Sequence, residues 1–229
     1  MYGTLGKVSY NKNVNTGHLN LTMNMNIAII GTGNVGGTLA AHWAKAGHRI
    51  YLGVRNLESF KGQALTQLQG VSVHLIAEAV AAAEVVLLAI PATAAIETAQ
   101  AMGDTSGKII IDSMNIVMGR GPAGYRTTAE AILAHTASRE VVKCFNTTGF
   151  NNMQNPDYGG QKLDLFVAGD SARGKKIAQQ LALDAGFGAC YDAGGNDKFE
   201  TMEQFAWFWI NLALFAGQGR DIGFKLLKR

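Results

Sequence analysis

The sequence predicts an α/β fold: a doubly wound parallel sheet with a small C-terminal α/β extension ending in a helix. Three observations carry this. From residue 26 onward, short apolar runs such as VVLLAI and KIIID alternate with helix-like segments. Runs of this kind are buried on both faces, as parallel strands covered by helices are. The resulting βαβ rhythm is that of a doubly wound sheet.

The elements follow in order. Strands are expected over 26–30, 49–54, 71–75, 84–90, 108–112 and 140–145. Helices are expected between them, over 34–46, 57–68, 76–83, 93–102 and 127–135. A glycine-rich loop with Gly119, Gly121, Pro122 and Gly124 follows the fifth strand. Beyond it come a strand at 163–168, a helix at 172–185 capped by Ser171, a strand at 188–192 and a last helix at 198–217. That helix carries Phe199, Met202, Phe205, Ala206, Trp209, Leu212 and Ala213 on one side, which reads as a packing face. The same stripe is the one feature that points to a homodimer. The expected organisation is a flexible tail at 1–24, a dinucleotide-binding domain at 25–150 and the extension at 151–229.

Composition narrows the function classes. The chain has 229 residues, 48% hydrophobic, enough for a sizeable core. Glycine is abundant, at 28 residues, against 3 prolines; this suits tight strand–helix turns. The net charge is only +3 and the basic residues are dispersed, so a nucleic-acid partner is not expected. No apolar run reaches the roughly 18 residues a membrane span needs. Residues 1–24 are polar and lack the apolar stretch of a signal peptide. The expected compartment is the cytoplasm. The two cysteines, Cys144 and Cys190, form no metal-binding motif, and neither a disulfide scaffold nor a metal site is expected. Cys144 ends an apolar run and reads as a buried small hydrophobe.

The strongest motif is Gly31, Thr32, Gly33, Asn34, Val35, Gly36, directly after the strand NIAII and opening the first helix. In that context a GxGxxG run is a dinucleotide-binding turn of the Rossmann type. Gly31 permits the tight turn. Gly33 lets the backbone approach a pyrophosphate. Gly36 lets helix and strand pack closely. The helix N-terminus then offers free N–H groups to phosphate.

The end of the second strand selects the cofactor. NAD-binding domains place a carboxylate there, roughly 20 residues past the turn. This chain has Arg55, followed by Asn56. A guanidinium binds a 2′-phosphate with paired, charge-assisted hydrogen bonds, so NADP(H) is expected over NAD(H). Lys61 supplies a second cation. Further strand ends border the same cleft. Ala89, Ile90 and Pro91 would pack along the cofactor. Asn115, Asn146 and Thr147 would anchor its ribose or carboxamide. Met114, Thr148, Phe150 and the Gly119–Gly124 loop would line a pocket for the acceptor. Trp207 and Trp209 read as core.

The segments MNIAIIGTGNVGGTLA, GVRN, LLAIP, DSMN and VVKCFNTTG, in this order and spacing, resemble the coenzyme F-420-dependent NADP oxidoreductases. The resemblance covers about residues 25–220. It implies a Rossmann domain, a small C-terminal extension, and NADP facing a cleft that receives a deazaflavin. Hydride would then pass directly between the two rings. Coenzyme F-420, or FMN or FAD, is the co-substrate class it implies.

Such a transfer needs proximity and stacking more than an acid or base. The sequence fits that. None of His18, His42, His48, His74 and His135 stands in a catalytic constellation, and Lys143 reads as structural within its strand. Two alternatives stay open. A reductase of a small carbonyl or imine shares such a first domain, but usually adds a large helical domain. Here 80 residues follow Gly149 (229 − 149), and they still alternate β and α. A non-catalytic NADPH sensor is the other.

Overall fold

The structure, a computed structural model, describes residues 24–229; the tail expected over 1–24 lies, but for Asn24, outside the described residues. Six parallel strands come first: β1 (Asn26–Ile30), β2 (Arg49–Val54), β3 (Val71–Leu75), β4 (Val85–Leu88), β5 (Ile109–Asp112) and β6 (Glu140–Lys143). Between them lie α1 (Asn34–Lys45), α2 (Ile76–Ala82), α3 (Ala95–Ala101) and α4 (Thr128–His135). After β6 come α5 (Phe150–Gln154), a hairpin of β7 (Asp157–Tyr158) and β8 (Gln161–Lys162), β9 (Asp164–Ala168), α6 (Ala172–Asp184), β10 (Ala189–Gly194) and α7 (Phe199–Ile210).

One eight-stranded sheet has the order β10-β9-β6-β5-β4-β1-β2-β3. Its first six strands run 3-2-1-4-5-6, the order of the Rossmann fold. The residues after 150 therefore extend the same sheet. β9 pairs with β6 antiparallel, through Lys143 and Ala168, and β10 runs parallel to β9. The physical reason is the connection. The link from β6 to β9 holds only α5 and the small hairpin, with no crossover helix to carry the chain back to the other end of the sheet.

Each face of the sheet has its own core. Trp43, Leu39, Leu87, Ile111, Leu181 and Phe187 fill the α1/α6 side. Ile30, Val80, Leu88, Ala99, Ile132 and Phe199 fill the side covered by α2, α3, α4 and α7. Trp43 also donates its indole N–H to the Leu181 carbonyl at 2.8 Å, which ties α1 to α6. The caps are legible locally. Thr127 and Glu130 form a reciprocal capping box at α4, and Ser171 Oγ accepts the Gly174 N–H at 2.8 Å.

Four expectations need correction. No α-helix spans 57–68; only a 3-10 turn forms, over Gln63–Gln67, because Gly62 adopts a left-handed φ of 84° just before it. The sixth strand stops at Lys143, because Phe145 takes a φ of 59° and turns the chain. The last helix ends at Ile210 and continues as a wider π turn over Asn211–Phe215. Trp209 is buried as expected, but Trp207 is 39% exposed and leans on Phe215 instead.

Candidate functional site

The C-terminal ends of β1, β2, β4, β5 and β6 converge on one edge, where open α/β sheets bind ligands. At β1 the glycine turn is built as its spacing requires. Gly31 has a φ of 99°, and a Cβ there would sit 2.4 Å from the Ala89 carbonyl oxygen. A Cβ on Gly36 would lie 1.9 Å from the Gly31 oxygen, so α1 can only pack this closely on glycine. A Cβ on Gly33 would meet nothing within 4 Å. Gly33 thus faces open space, at the N-cap of a helix whose first turn has neither a side-chain cap nor an acidic residue. Unclaimed N–H groups, a partial positive charge and a missing Cβ together fit a pyrophosphate.

Around the turn lies a cleft of ≈ 470 Å³, lined by Thr32, Gly33, Asn34, His42, Lys61 and Gln154 among others. The Thr32 hydroxyl donates to the Lys61 carbonyl, which docks the 61–65 segment against the turn. Asn34, Thr38 and His42 share one face of α1 at four-residue spacing. Sequence reasoning left His42 without a role, although that spacing was the signal for it. Arg55 is exposed immediately after β2 and, among the described residues, enters no ion pair. Asn56 is occupied locally: its Oδ1 accepts the Glu58 N–H at 2.8 Å.

The β4 end is held by the Ala89 N–H, which donates to the Ile30 carbonyl at 2.9 Å, with Ile90 half-buried and Pro91 exposed beyond. Asn115 and Asn146, across the β5 and β6 ends, bind each other. Asn115 Nδ2 donates to the Asn146 carbonyl at 2.9 Å, and Asn146 Nδ2 to Asn115 Oδ1 at 2.9 Å. The Asn146 Oδ1 has no partner among the described residues and is an acceptor to spare. Thr147 is buried, and Thr148 Oγ1 accepts from Asn152 Nδ2 at 2.9 Å. Phe150 is half-buried under the Arg220 guanidinium, 5.6 Å from the ring centre.

Met114 is a correction. It was expected to line the acceptor pocket, but it is 3% exposed and packs into the core beneath α2–α4. Its N–H donates to Asp112 Oδ1 at 2.8 Å, which folds the chain back and turns the side chain inward.

Sequence reasoning also missed the charged cluster under this edge. Lys143 is fully buried, 2.8 Å from Asp112 and 2.9 Å from Glu203. A lysine inside the otherwise apolar run VVKCF was the available signal, since a fully buried lysine must be paired. The histidines have other partners: His48 bridges the Met25 N–H and Asp184, His74 meets Ser72, and His135 meets Tyr125. Cys144 and Cys190 are free, their sulfurs 3.8 Å apart, and burial pushes the Cys144 thiol well above its usual pKa. Among the described residues no cluster of three metal-ligating side chains occurs, and no helix is long and apolar enough to cross a membrane.

The 3-2-1-4-5-6 order and the glycine turn define a Rossmann fold, and the chain falls with the NADP-dependent oxidoreductases. Residues 26–116 match the family described as NADP oxidoreductase, coenzyme F-420-dependent. A crystal structure of a candidate F-420-dependent NADP reductase from Arthrobacter sp. FB24 is similar at 27% identity. The match covers 90% of this chain and all of that one, with a TM-score of 0.77. A hypothetical protein from Sinorhizobium meliloti is similar at 26% identity over 77% of this chain and 87% of that one (TM-score 0.64). A reductive aminase from Aspergillus terreus, solved with NADPH and ethyl levulinate, shares the fold at 19% identity and a TM-score of 0.62. The match spans 85% of this chain but only 63% of that longer one.

Proposed function

We propose that this chain binds NADP(H) across the glycine turn and passes hydride directly between the nicotinamide and a flavin-like acceptor, a deazaflavin or a flavin. The observation that carries the cofactor half is the cradle: an open Gly33 at an uncapped helix N-terminus, with Arg55 at the neighbouring strand end. Gly31–Gly36 would hold the pyrophosphate. Arg55 and Lys61 would hold the 2′-phosphate, and Asn115, Asn146 and Thr147 the nicotinamide half.

The acceptor half rests on what lines the β5 and β6 ends. The groups there are amides and hydroxyls: Ser113, Asn115, Asn146, Thr147 and Thr148. The titratable side chains nearby, Asp112, Lys143 and Glu203, are buried and bonded to one another. Such an edge orients two rings by hydrogen bonds without itself moving a proton, which suits direct hydride transfer. When bound, the nicotinamide supplies the hydride. Thr148, Phe150 and the Gly119–Gly124 loop would border the acceptor. The match to the candidate F-420-dependent NADP reductase supports this reading.

Reduction of a carbonyl or imine is the second reading, favoured by the fold shared with the reductive aminase. The test is a titration with NADPH and NADH, followed by mixing with deazaflavin, FMN, FAD and 1-pyrroline while nicotinamide absorbance is followed. Oxidation of NADPH that depends on a flavin-type acceptor supports the proposal. Oxidation with 1-pyrroline alone replaces it with the second reading. Tight binding with no turnover points to a sensor.

A further inference from the structure

Beneath the β5 and β6 ends, one buried cluster grips the backbone on which Asn115 stands. Lys143 Nζ lies 2.8 Å from Asp112 Oδ2, 2.8 Å from the Met114 carbonyl, 3.0 Å from Thr128 Oγ1 and 2.9 Å from Glu203 Oε1. An ammonium has three protons, so four oxygens share them. Each carboxylate spends its other oxygen on the chain just past β5. Asp112 Oδ1 accepts the Met114 N–H at 2.8 Å, and Glu203 Oε2 accepts the Ile116 N–H at 2.8 Å. Thr128 closes the cluster: its hydroxyl donates to Asp112 Oδ2 at 2.6 Å and its N–H to Glu203 Oε1 at 3.1 Å.

Two N–H groups and one carbonyl of residues 114–116 are thereby fixed by charged partners from β5, β6 and α7. Asn115 stands between the two clamped amides. Its partner Asn146 is held from the same helix, because Asn146 Nδ2 also donates to the carbonyl of Met202, next to Glu203, at 3.1 Å. Stability alone does not account for this arrangement. Taking an ammonium and two carboxylates out of water is costly, and apolar residues of similar volume often do as well or better. What apolar residues cannot supply is a directional hold on backbone N–H and C=O groups.

We propose that Lys143, Asp112 and Glu203 are positioning residues. They lock α7 to the 114–116 segment and keep Asn115 and Asn146 in register for the nicotinamide half of the cofactor, without touching it. This rests on the NADP(H) reading above.

Calorimetric titration of the wild type and Glu203→Gln with two ligands tests it. One ligand is NADPH. The other is adenosine 2′,5′-bisphosphate, which has the 2′-phosphate but no nicotinamide half. The Gln amide sets a donor against either the Ile116 N–H or Lys143, at unchanged volume. The Kd for NADPH is expected to rise about tenfold, the cost of roughly one lost buried hydrogen bond, while that for the bisphosphate stays within about twofold. Thr128→Val, which replaces the hydroxyl with a methyl and keeps the backbone N–H to Glu203, gives the same split at about threefold. An equal shift for both ligands, or for neither, overturns the proposal. Should Glu203→Gln fail to fold, Thr128→Val decides by the same split. If the bisphosphate fails to bind the wild type, the assignment of the glycine turn and Arg55 falls, and this inference with it.

Discussion

The two ends of the candidate cleft are built by opposite means. At the β1 end the work is done by missing atoms: Gly31, Gly33 and Gly36 leave room for a turn, a ligand and a helix. At the β5 and β6 ends it is done by buried charged side chains from three separate stretches, Asp112, Lys143 and Glu203. The first device is compact: three glycines within six residues, Gly36 packed on Gly31 and Gly31 packed on the β4 end at Ala89. The second is global, and its parts are useless apart. The two should therefore fail differently when mutated.

Lys143→Met should cost most, about 3–5 kcal/mol, because it leaves two buried carboxylates uncompensated. Chemical denaturation measures it. Adding Asp112→Asn and Glu203→Gln should recover part of that loss; no recovery would break the view that charge balance, and not volume, holds the cluster. Gly36→Ala comes next. Its Cβ falls 1.9 Å from a backbone oxygen that cannot rotate away. A loss of roughly 1–3 kcal/mol is expected, with NADPH binding lost alongside it. Unfolding and NADPH fluorescence, followed on one sample, test both.

Two substitutions should separate binding from stability. Arg55→Ala should weaken NADPH by about 10- to 100-fold, the worth of hydrogen bonds to a charged group, and leave NADH unchanged. Equal loss for both cofactors would remove Arg55 from the 2′-phosphate site. Gly33→Ala should change stability by less than about 1 kcal/mol, since its Cβ enters empty space. If the pyrophosphate lies over Gly33 as proposed, the substitution should still weaken NADPH about tenfold. A Gly33→Ala protein that binds normally would show that the pyrophosphate lies elsewhere. The smallest effect concerns Cys144. Burial keeps this thiol protonated, so iodoacetamide at pH 8 should leave it unmodified in the native protein and label it after denaturation. Mass spectrometry of the Cys144 peptide reads the difference.

Much of the fold was legible because its signals are local. Apolar runs placed all six parallel strands, and the spacing of Gly31, Gly33 and Gly36 directly after β1 placed the turn. The β7–β8 hairpin was legible too and went unread. Asp157-Tyr158-Gly159-Gly160 carries the paired glycines of a tight turn, and both take positive φ. The segment at 57–68 misled because its composition suits a helix, while Gly62 is bent by docking under Thr32, a contact 30 residues away in sequence (62 − 32). Met114 misled for a similar reason: its position at a strand end was right, but a hydrogen bond to Asp112 decided which way it faced.

The sequence by itself determined the six parallel strands, most of the helices between them and the spacing of the glycine turn, because hydrophobic period and the placing of glycines are written in a few adjacent residues. Only the tertiary structure decided that the last two strands join the same sheet in reverse. It alone brought Glu203 on α7 to Lys143 on β6, 60 residues apart (203 − 143). A buried charge must find its counter-charge in space, and nothing in the local chain says from which element that partner comes.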